Sequence, residues 1–346
     1  MKFINLKRCR RITTSVVITC ILALSLASIA NGQKFRYYGT TRSDWATFTF
    51  PSAGGQIRWR VLRNDNPSTG SSPLFDIPFG LTDSELVPNQ GNWGGSATHD
   101  LAVYRDNTGT PANTYIVNQL PSGPTTYTNW GLAVTDFIGS EGDYDGDGIM
   151  DYTVVRAPTD TSPFVWWVLL SSDSTMRVFR FGTNATDIAL PGADYTGDGI
   201  DDPCVARIAA SGQITWIWGT TGAAQLGQRI WGNFNTDFIV AGGDYDGDAK
   251  ADFMVWRGFG AVNGVWYLST NTGNVSYTTF GIPGGSAIRD TALRSGDYDG
   301  DGKTDIAIYR PSTLTFYVNR SSGGVQTQQW GEVGSSNLPV ASFGIF

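Results

Sequence analysis

One spacing governs this chain: a Phe-Gly or Trp-Gly pair returns about every fifty residues. The pairs are Phe79-Gly80, Trp130-Gly131, Phe181-Gly182, Trp231-Gly232, Phe280-Gly281 and Trp330-Gly331, and their glycines lie 51, 51, 50, 49 and 50 residues apart. Two further markers keep the same period. An aspartate opens an alternating apolar run at Asp44, Asp100, Asp151, Asp202, Asp252 and Asp305, and a mid-unit aromatic stands at Trp59, Tyr115, Trp166, Trp216, Trp266 and Phe316. Three markers in one register mean six copies of one supersecondary unit, which restricts the chain to a repeat architecture.

Each unit reads as four short strands. In the fifth unit they are 237–241, 252–257, 265–268 and 276–280, runs of β-branched and aromatic residues between Gly, Asn and Ser turns. No segment after residue 30 has a 3.6-residue apolar period. The fold class is therefore all-β, a six-bladed β-propeller of four-stranded antiparallel blades, with seven blades as the alternative if residues 81–99 hide extra strands. The units run 44–80, 81–131, 132–182, 183–232, 233–281 and 282–331, after a lead-in at 31–43. Asp44–Thr49 matches the second strand of a blade and has no acidic loop before it, whereas 338–346 begins like a first strand. The C-terminal strand is thus expected to close the ring and remove its open edges; residues 33–43 are the rival for that place.

Residues 1–30 carry five basic and no acidic residues, then the apolar stretch 12–27 and the small-x-small triplet Ser28-Ile29-Ala30, the pattern of a secretory signal peptide. Retention as a membrane anchor, or lipidation at Cys20, are the competing readings. Without this leader 19 Lys+Arg face 31 Asp+Glu, a net charge of −12. That excess disfavours nucleic acid and anionic membranes as partners. The expectations are a secreted or surface location, no membrane span in the mature chain, and a monomer. Cys9 and Cys20 belong to the leader, so Cys204 is left without an intrachain disulfide partner.

The most charged segments are four nine-residue loops. They hold Asp143, Asp145, Asp147, Ile149 and Asp151; Asp194, Thr196, Asp198, Ile200 and Asp202; Asp244, Asp246, Asp248, Lys250 and Asp252; and Asp297, Asp299, Asp301, Lys303 and Asp305, at positions 1, 3, 5, 7 and 9. Ca²⁺ takes six to eight hard oxygen ligands. Carboxylates at positions 1, 3, 5 and 9 with the position-7 carbonyl supply such a ring, and without a cation they repel one another. Three to four calcium ions are expected, since Thr196 removes one carboxylate from its loop. An EF-hand is excluded: position 12, bidentate Glu there, is Val154, Val205, Val255 or Ile308 here. The second unit keeps the loop length at 92–100 and loses the charges, so it is read as metal-free.

These loops, the strand after each and the closing Phe/Trp-Gly pair resemble the FG-GAP/VCBS repeats of bacterial secreted proteins, related to the integrin α-subunit propeller. The resemblance covers about residues 44–346 and is specific in units three to six. It implies calcium between a blade's first and second strands, and ligands on the opposite face.

Five arginines, Arg105, Arg156, Arg207, Arg257 and Arg310, each stand five residues after an opening aspartate. Such regular repetition points to one structural contact per blade; a ring of cations for an anionic ligand is the alternative. Trp93, Trp167, Trp218 and Trp256 break the repeat and are candidates for ligand contact. His99 is the sole histidine and has no nucleophile beside it in sequence, and no zinc ligand set or GxSxG exists. The function expected is a non-catalytic binding or adhesion module for a protein or carbohydrate; a propeller-fold glycoside hydrolase or a purely structural surface protein is the alternative.

Overall fold

The computed structural model describes residues 35–39, 41–50, 54–64, 74–82, 84–107, 112–132, 135–258, 263–283, 290–294 and 296–342. The leader at 1–30 and the last four residues of the expected closing strand lie outside them. Blade 1 holds β1 (Trp45–Thr49), β2 (Gln56–Leu62) and β3 (Leu74–Leu81). Blade 2 holds β4 (Glu85–Leu86), β5 (Leu101–Arg105), β6 (Thr114–Asn118) and β7 (Thr125–Asn129). Blade 3 holds β8 (Asp136–Phe137), β9 (Tyr152–Arg156), β10 (Pro163–Leu169) and β11 (Met176–Thr183). Blade 4 holds β12 (Asp187–Ala193), β13 (Asp202–Ile208), β14 (Gln213–Gly219) and β15 (Gln225–Asn233). Blade 5 holds β16 (Asp237–Gly243), β17 (Asp252–Arg257), β18 (Val265–Ser269) and β19 (Val275–Thr279). Blade 6 holds β20 (Thr291–Ala292), β21 (Ile306–Arg310), β22 (Thr315–Asn319) and β23 (Val325–Gln329), and the chain then gives β24 (Asn337–Pro339).

Among the described residues these strands form six four-stranded antiparallel sheets, a six-bladed propeller. Between β3 and β5 there is a single short strand, β4, so no seventh sheet arises. Sheet order β24-β1-β2-β3 closes the ring: Leu338 pairs with Phe48 and Pro339 with Thr47. The closing strand is shorter than the run from 338 suggests. Pro339 has no N–H to continue the ladder, and Val340–Ser342 turn as a 3-10 helix.

The mid-unit aromatics form the core between blades. Trp59, Tyr115, Trp166, Trp216, Trp266 and Phe316 are all fully buried, and each aromatic ring buries roughly 150–250 Å² of surface. The indole nitrogens are satisfied as burial requires. Trp59 Nε1 donates to the Phe79 carbonyl at 2.8 Å, Trp166 to Phe181 at 2.8 Å, Trp216 to Trp231 at 3.0 Å and Trp266 to Phe280 at 3.0 Å. The acceptor is in every case the aromatic residue of a Phe/Trp-Gly pair, which explains why the two markers keep one register. The pair also reaches forward: Trp130, Trp231 and Trp330 donate through Nε1 to Trp167, Tyr267 and Arg60 of the next blade. The glycine is required because its φ is positive and the next blade leaves no room. At Gly182 φ is +85°, and a Cβ would lie 2.8 Å from Val205 Cγ1.

Gly182→Ala is therefore expected to cost about 1–3 kcal/mol more than Gly323→Ala in urea unfolding. Gly323 also has a positive φ (+109°) but has nothing within 4 Å of its added Cβ. Equal losses would remove the inter-blade packing argument.

Candidate metal centre and the opposite face

Each acidic loop joins the first strand of a blade to its second and is folded by its own carboxylates. In the first, Gly146 and Gly148 N–H donate to the two oxygens of Asp143 at 2.7 and 2.8 Å, and Ile149 N–H donates to Asp147 at 2.8 Å. The same bonds recur from Gly247, Ala249 and Lys250 to Asp244 and Asp248, and from Gly300, Gly302 and Lys303 to Asp297 and Asp301. In the loop at Asp194, Gly199 donates to Asp194 and Ile200 to Asp198. Ala249 takes φ +66° where the other loops have Gly, so its loop is strained at that point.

Position 9 has a different task. Asp151 Oδ2 accepts Tyr144 N–H at 2.8 Å, and Oδ1 accepts Ser171 N–H at 2.7 Å from the turn between β10 and β11. Asp100 accepts Trp93 and Leu120, and Asp44 accepts Tyr38 and Asn64, in the same way. Because the two loops without the other carboxylates keep this aspartate, its first role is to lace the loop to its blade. In the loops at Asp143 and Asp297 the neighbouring turn adds hydroxyls: Ser171 and Ser172 donate to Asp147 and Asp145, and Ser321 and Ser322 to Asp301 and Asp299.

Three carboxylate clusters result, each with ligand atoms within 4.8 Å of one another: Asp143, Asp145 and Asp151; Asp244, Asp246 and Asp248; Asp297, Asp299 and Asp305. The donors are all hard oxygens on a nine-residue loop, a set that suits Ca²⁺. Asp147, Asp252 and Asp301 lie in the same loops outside these closest triads. The loop at Asp194 forms no such triad, because Thr196 supplies a hydroxyl where a carboxylate stands elsewhere. The position-7 side chains reach the preceding loop. Ile200, Lys250 and Lys303 cover Gly146, Gly197 and Gly247 there.

Burial pushes Asp143, Asp151, Asp202, Asp252 and Asp305 up to about 7 and Asp297 to about 6. Backbone donors oppose the shift and neighbouring carboxylates add to it. A bound cation reverses this penalty by favouring the ionised forms.

The loops touch around the whole ring. The amide at position 8 donates to the position-1 carbonyl of the preceding loop: Met150 to Asn92, Asp201 to Asp143, Ala251 to Asp194, Thr304 to Asp244 and Ser43 to Asp297, at 2.6–2.8 Å. His99 N–H completes the circle on Arg36 at 2.9 Å. Residues 36–39 and 41–44 thus make the contacts of a sixth copy of the loop, missed because Arg36 replaces the opening aspartate. Its legible signals were Tyr37 at position 2, Gly39 at position 4 and Asp44 at position 9; Gly39 has φ +69°, as Gly146 has +80°.

The buried Arg294 ties four blades directly and a fifth through Asn89. Its N–H donates to Ala341, Nε to Ala241 and Nη1 to Asn89 Oδ1. Asn89 in turn donates to the buried Glu141, which also accepts the Tyr115 hydroxyl at 2.9 Å. Burial lowers the Arg294 pKa to about 10, and the carboxylates of Asp201 and Glu141 oppose the fall. These residues do not repeat, so no periodic signal marks them.

On the opposite face the arginines make one repeated contact, as their spacing suggested. Arg156 forks Asp136 at 2.6 and 2.9 Å, Arg207 forks Asp187, Arg257 forks Asp237 and Arg310 forks Asp290; Arg105 pairs with Glu85. Each acid also accepts the N–H after a Phe/Trp-Gly pair, from Leu81, Leu132, Thr183, Asn233 and Ile282. The acid always lies 20 residues before its arginine, a constant spacing that sequence reasoning overlooked. The candidate ligand tryptophans are not exposed. Trp93 and Trp256 are buried, Trp167 lies under Arg156, and Trp218 stacks on Tyr195. His99 does have a partner, the Phe35 N–H at 2.9 Å.

Residues 244–308 match the family model of the FG-GAP-like repeat, the family whose motifs the loops resemble. No curated protein gives a significant match. Among solved structures, AofleA from Arthrobotrys oligospora is similar at TM-score 0.47 and 12% identity, over 88% of this chain and 90% of that one. A mutant of the same protein with three arginines changed to alanine gives 0.46 and 11% over the same shares. Among the described residues no helix is long and apolar enough to cross a membrane.

The raised aspartates set the sign of a pH effect. The folded chain binds more protons than the unfolded chain between about pH 4 and 7, so metal-free stability falls as pH rises through that window. Thermal unfolding in chelator should give a lower Tm at pH 8 than at pH 5, and added calcium should raise Tm more at pH 8. A chelated protein that gains stability from pH 5 to 8 contradicts this.

Proposed function

We propose that this protein is a secreted, calcium-braced propeller that binds a polypeptide ligand without turning it over, through the face opposite its acidic loops. The observation that carries the reading is an asymmetry. Large apolar side chains stand exposed on that face at Leu81, Leu86, Leu132, Phe137, Val333 and Leu338. These six belong to blades 1–3 or the connectors entering them, whereas on blades 4–6 the same connectors expose Phe234 alone among the described residues. The corresponding innermost-strand residues of blades 4–6, Ile188, Phe238 and Thr291, are half-buried. The repeated residues on both faces are consumed by structural contacts, whereas this arc departs from the repeat. Exposed apolar patches on a soluble protein mark interaction sites. The absence of exposed Trp faces among the candidate tryptophans favours a polypeptide over a carbohydrate.

Calcium is assigned to the loops at Asp143, Asp244 and Asp297, with the loop at Asp194 weakened by Thr196. The residues that would hold it are the three carboxylate triads; the ion would neutralise them and tie each loop to its blade. By linkage, metal at 100 times its dissociation constant adds about 2.7 kcal/mol per independent site. Export would follow from the leader at residues 1–30, a reading that the mass of the protein recovered from culture medium tests.

Calorimetric titration of the chelated protein should count three calcium ions, and Thr196→Asp should raise the count to four. A count that stays the same in the variant removes the fourth-loop argument.

For the ligand, the wild type should capture a partner from extracellular proteins. The double variant Leu86→Ser with Phe137→Asp should lose it while keeping the wild-type Tm in calcium. Binding confined to a glycan array overturns the polypeptide assignment, and silence in both assays overturns the binding role.

A further inference from the structure

We infer that the N-terminal loop is an acid-sensitive clasp of the ring, with His99 as its sensor. Residues 35–39 and 41–44 lie between blades 6 and 2. On one side Ser43 N–H donates to Asp297, and Trp45 stacks on Tyr298 at 4.8 Å. On the other, Phe35 N–H donates to His99 Nδ1 at 2.9 Å, and His99 N–H donates to the Arg36 carbonyl at 2.9 Å. The edges of the Phe35 and Tyr37 rings meet the imidazole at 6.4 and 6.0 Å, and both rings are buried.

The Phe35 bond needs a lone pair on Nδ1, so the imidazole must be neutral with its proton on Nε2. Adding a proton places an N–H on Nδ1 that points at the Phe35 N–H. Two donors then face each other, and the bond is lost. Phe35 holds φ +67°, a left-handed backbone that a phenylalanine rarely adopts. Release of the histidine bond therefore also relieves strain. Among side chains, imidazole is the one that ordinarily changes charge between pH 5 and 8.

Charged and titratable groups flank the imidazole from both elements, and Asp297 and Tyr298 of the neighbouring loop act on Arg36 and Tyr37. Arg36, Tyr37 and Asp44 come from the clasp, and Asp100 comes from the loop that carries His99. Asp100 is held by the amides of Trp93, Gly94 and Leu120. Asp44, which accepts Tyr38 and Asn64, is pushed up to about 6 by burial. Its protonation favours the closed segment and so opposes the histidine. Acid opening of the clasp would thus require His99.

The test is hydrogen exchange of residues 35–44 in the full chain with calcium saturating, so that the acidic loops stay ionised. Protection of these amides, corrected for intrinsic rate, should fall about tenfold between about pH 7.5 and pH 5.5, as loss of one hydrogen bond predicts. The β9–β10 and β13–β14 pairs should stay protected. His99→Gln keeps an acceptor for the Phe35 N–H and does not titrate, so its protection should hold at both pH values. His99→Phe should be unprotected at both. A wild type that stays protected at acid pH, or a Gln variant that opens like the wild type, overturns the inference.

Discussion

The ring of six amide-to-carbonyl hydrogen bonds between successive loops is the contact on which the rest of this structure depends. Against seven residues in β12 and β16, the innermost strand of a blade has only two in β4, β8 and β20. Such strands cannot hold a circle together by their own ladders. Neighbouring loops do so instead, position 8 on position 1, at every one of the six junctions. A polar backbone bond at a junction is directional, so it fixes the rotation between blades that apolar packing alone leaves soft. The aromatic core then fills a gap of defined width.

This arrangement explains why the loops are acidic and why two need no acid. The position-9 aspartate shapes all six loops through backbone amides. Positions 1, 3 and 5 are free to vary provided that position 1 offers a carbonyl to its neighbour. Arg36 and Asn92 satisfy that condition without a carboxylate. Charge could thus be lost from two loops without breaking the circle, while three loops kept closely packed carboxylates that are costly when bare.

Much of the fold was legible because repetition turns a weak local signal into a strong one. A single Phe-Gly pair means little; six at one spacing demand one environment, and the indole-to-carbonyl bonds and the positive φ of the glycine supply it. The arginines were legible as architecture for the same reason. Their acidic partners were not, because Glu85, Asp136, Asp187, Asp237 and Asp290 stand twenty residues from their arginines, and only the pairing of a blade's first and second strands brings the two together. The sixth loop escaped notice because recognition rested on its charges, which Arg36 and Tyr38 replace. Trp167 and Trp256 looked like ligand platforms because exposure depends on what lies above a side chain, and neighbouring residues cover both.

By itself, the sequence determined the six units, their four strands, the loops able to gather carboxylates and the closure by the C-terminal strand. Each follows from local spacing, and period and turn chemistry are local properties. The tertiary structure alone decided which carboxylates come within reach of one ion, that Arg294, Asn89 and Glu141 meet at the axis, and that His99 holds Phe35. It also decided that Leu86 and Phe137 stand exposed where Ile188, Phe238 and Thr291 are half-buried. Those outcomes bring together residues up to 205 positions apart. Nothing in the spacing of such residues marks them as neighbours until the ring has closed.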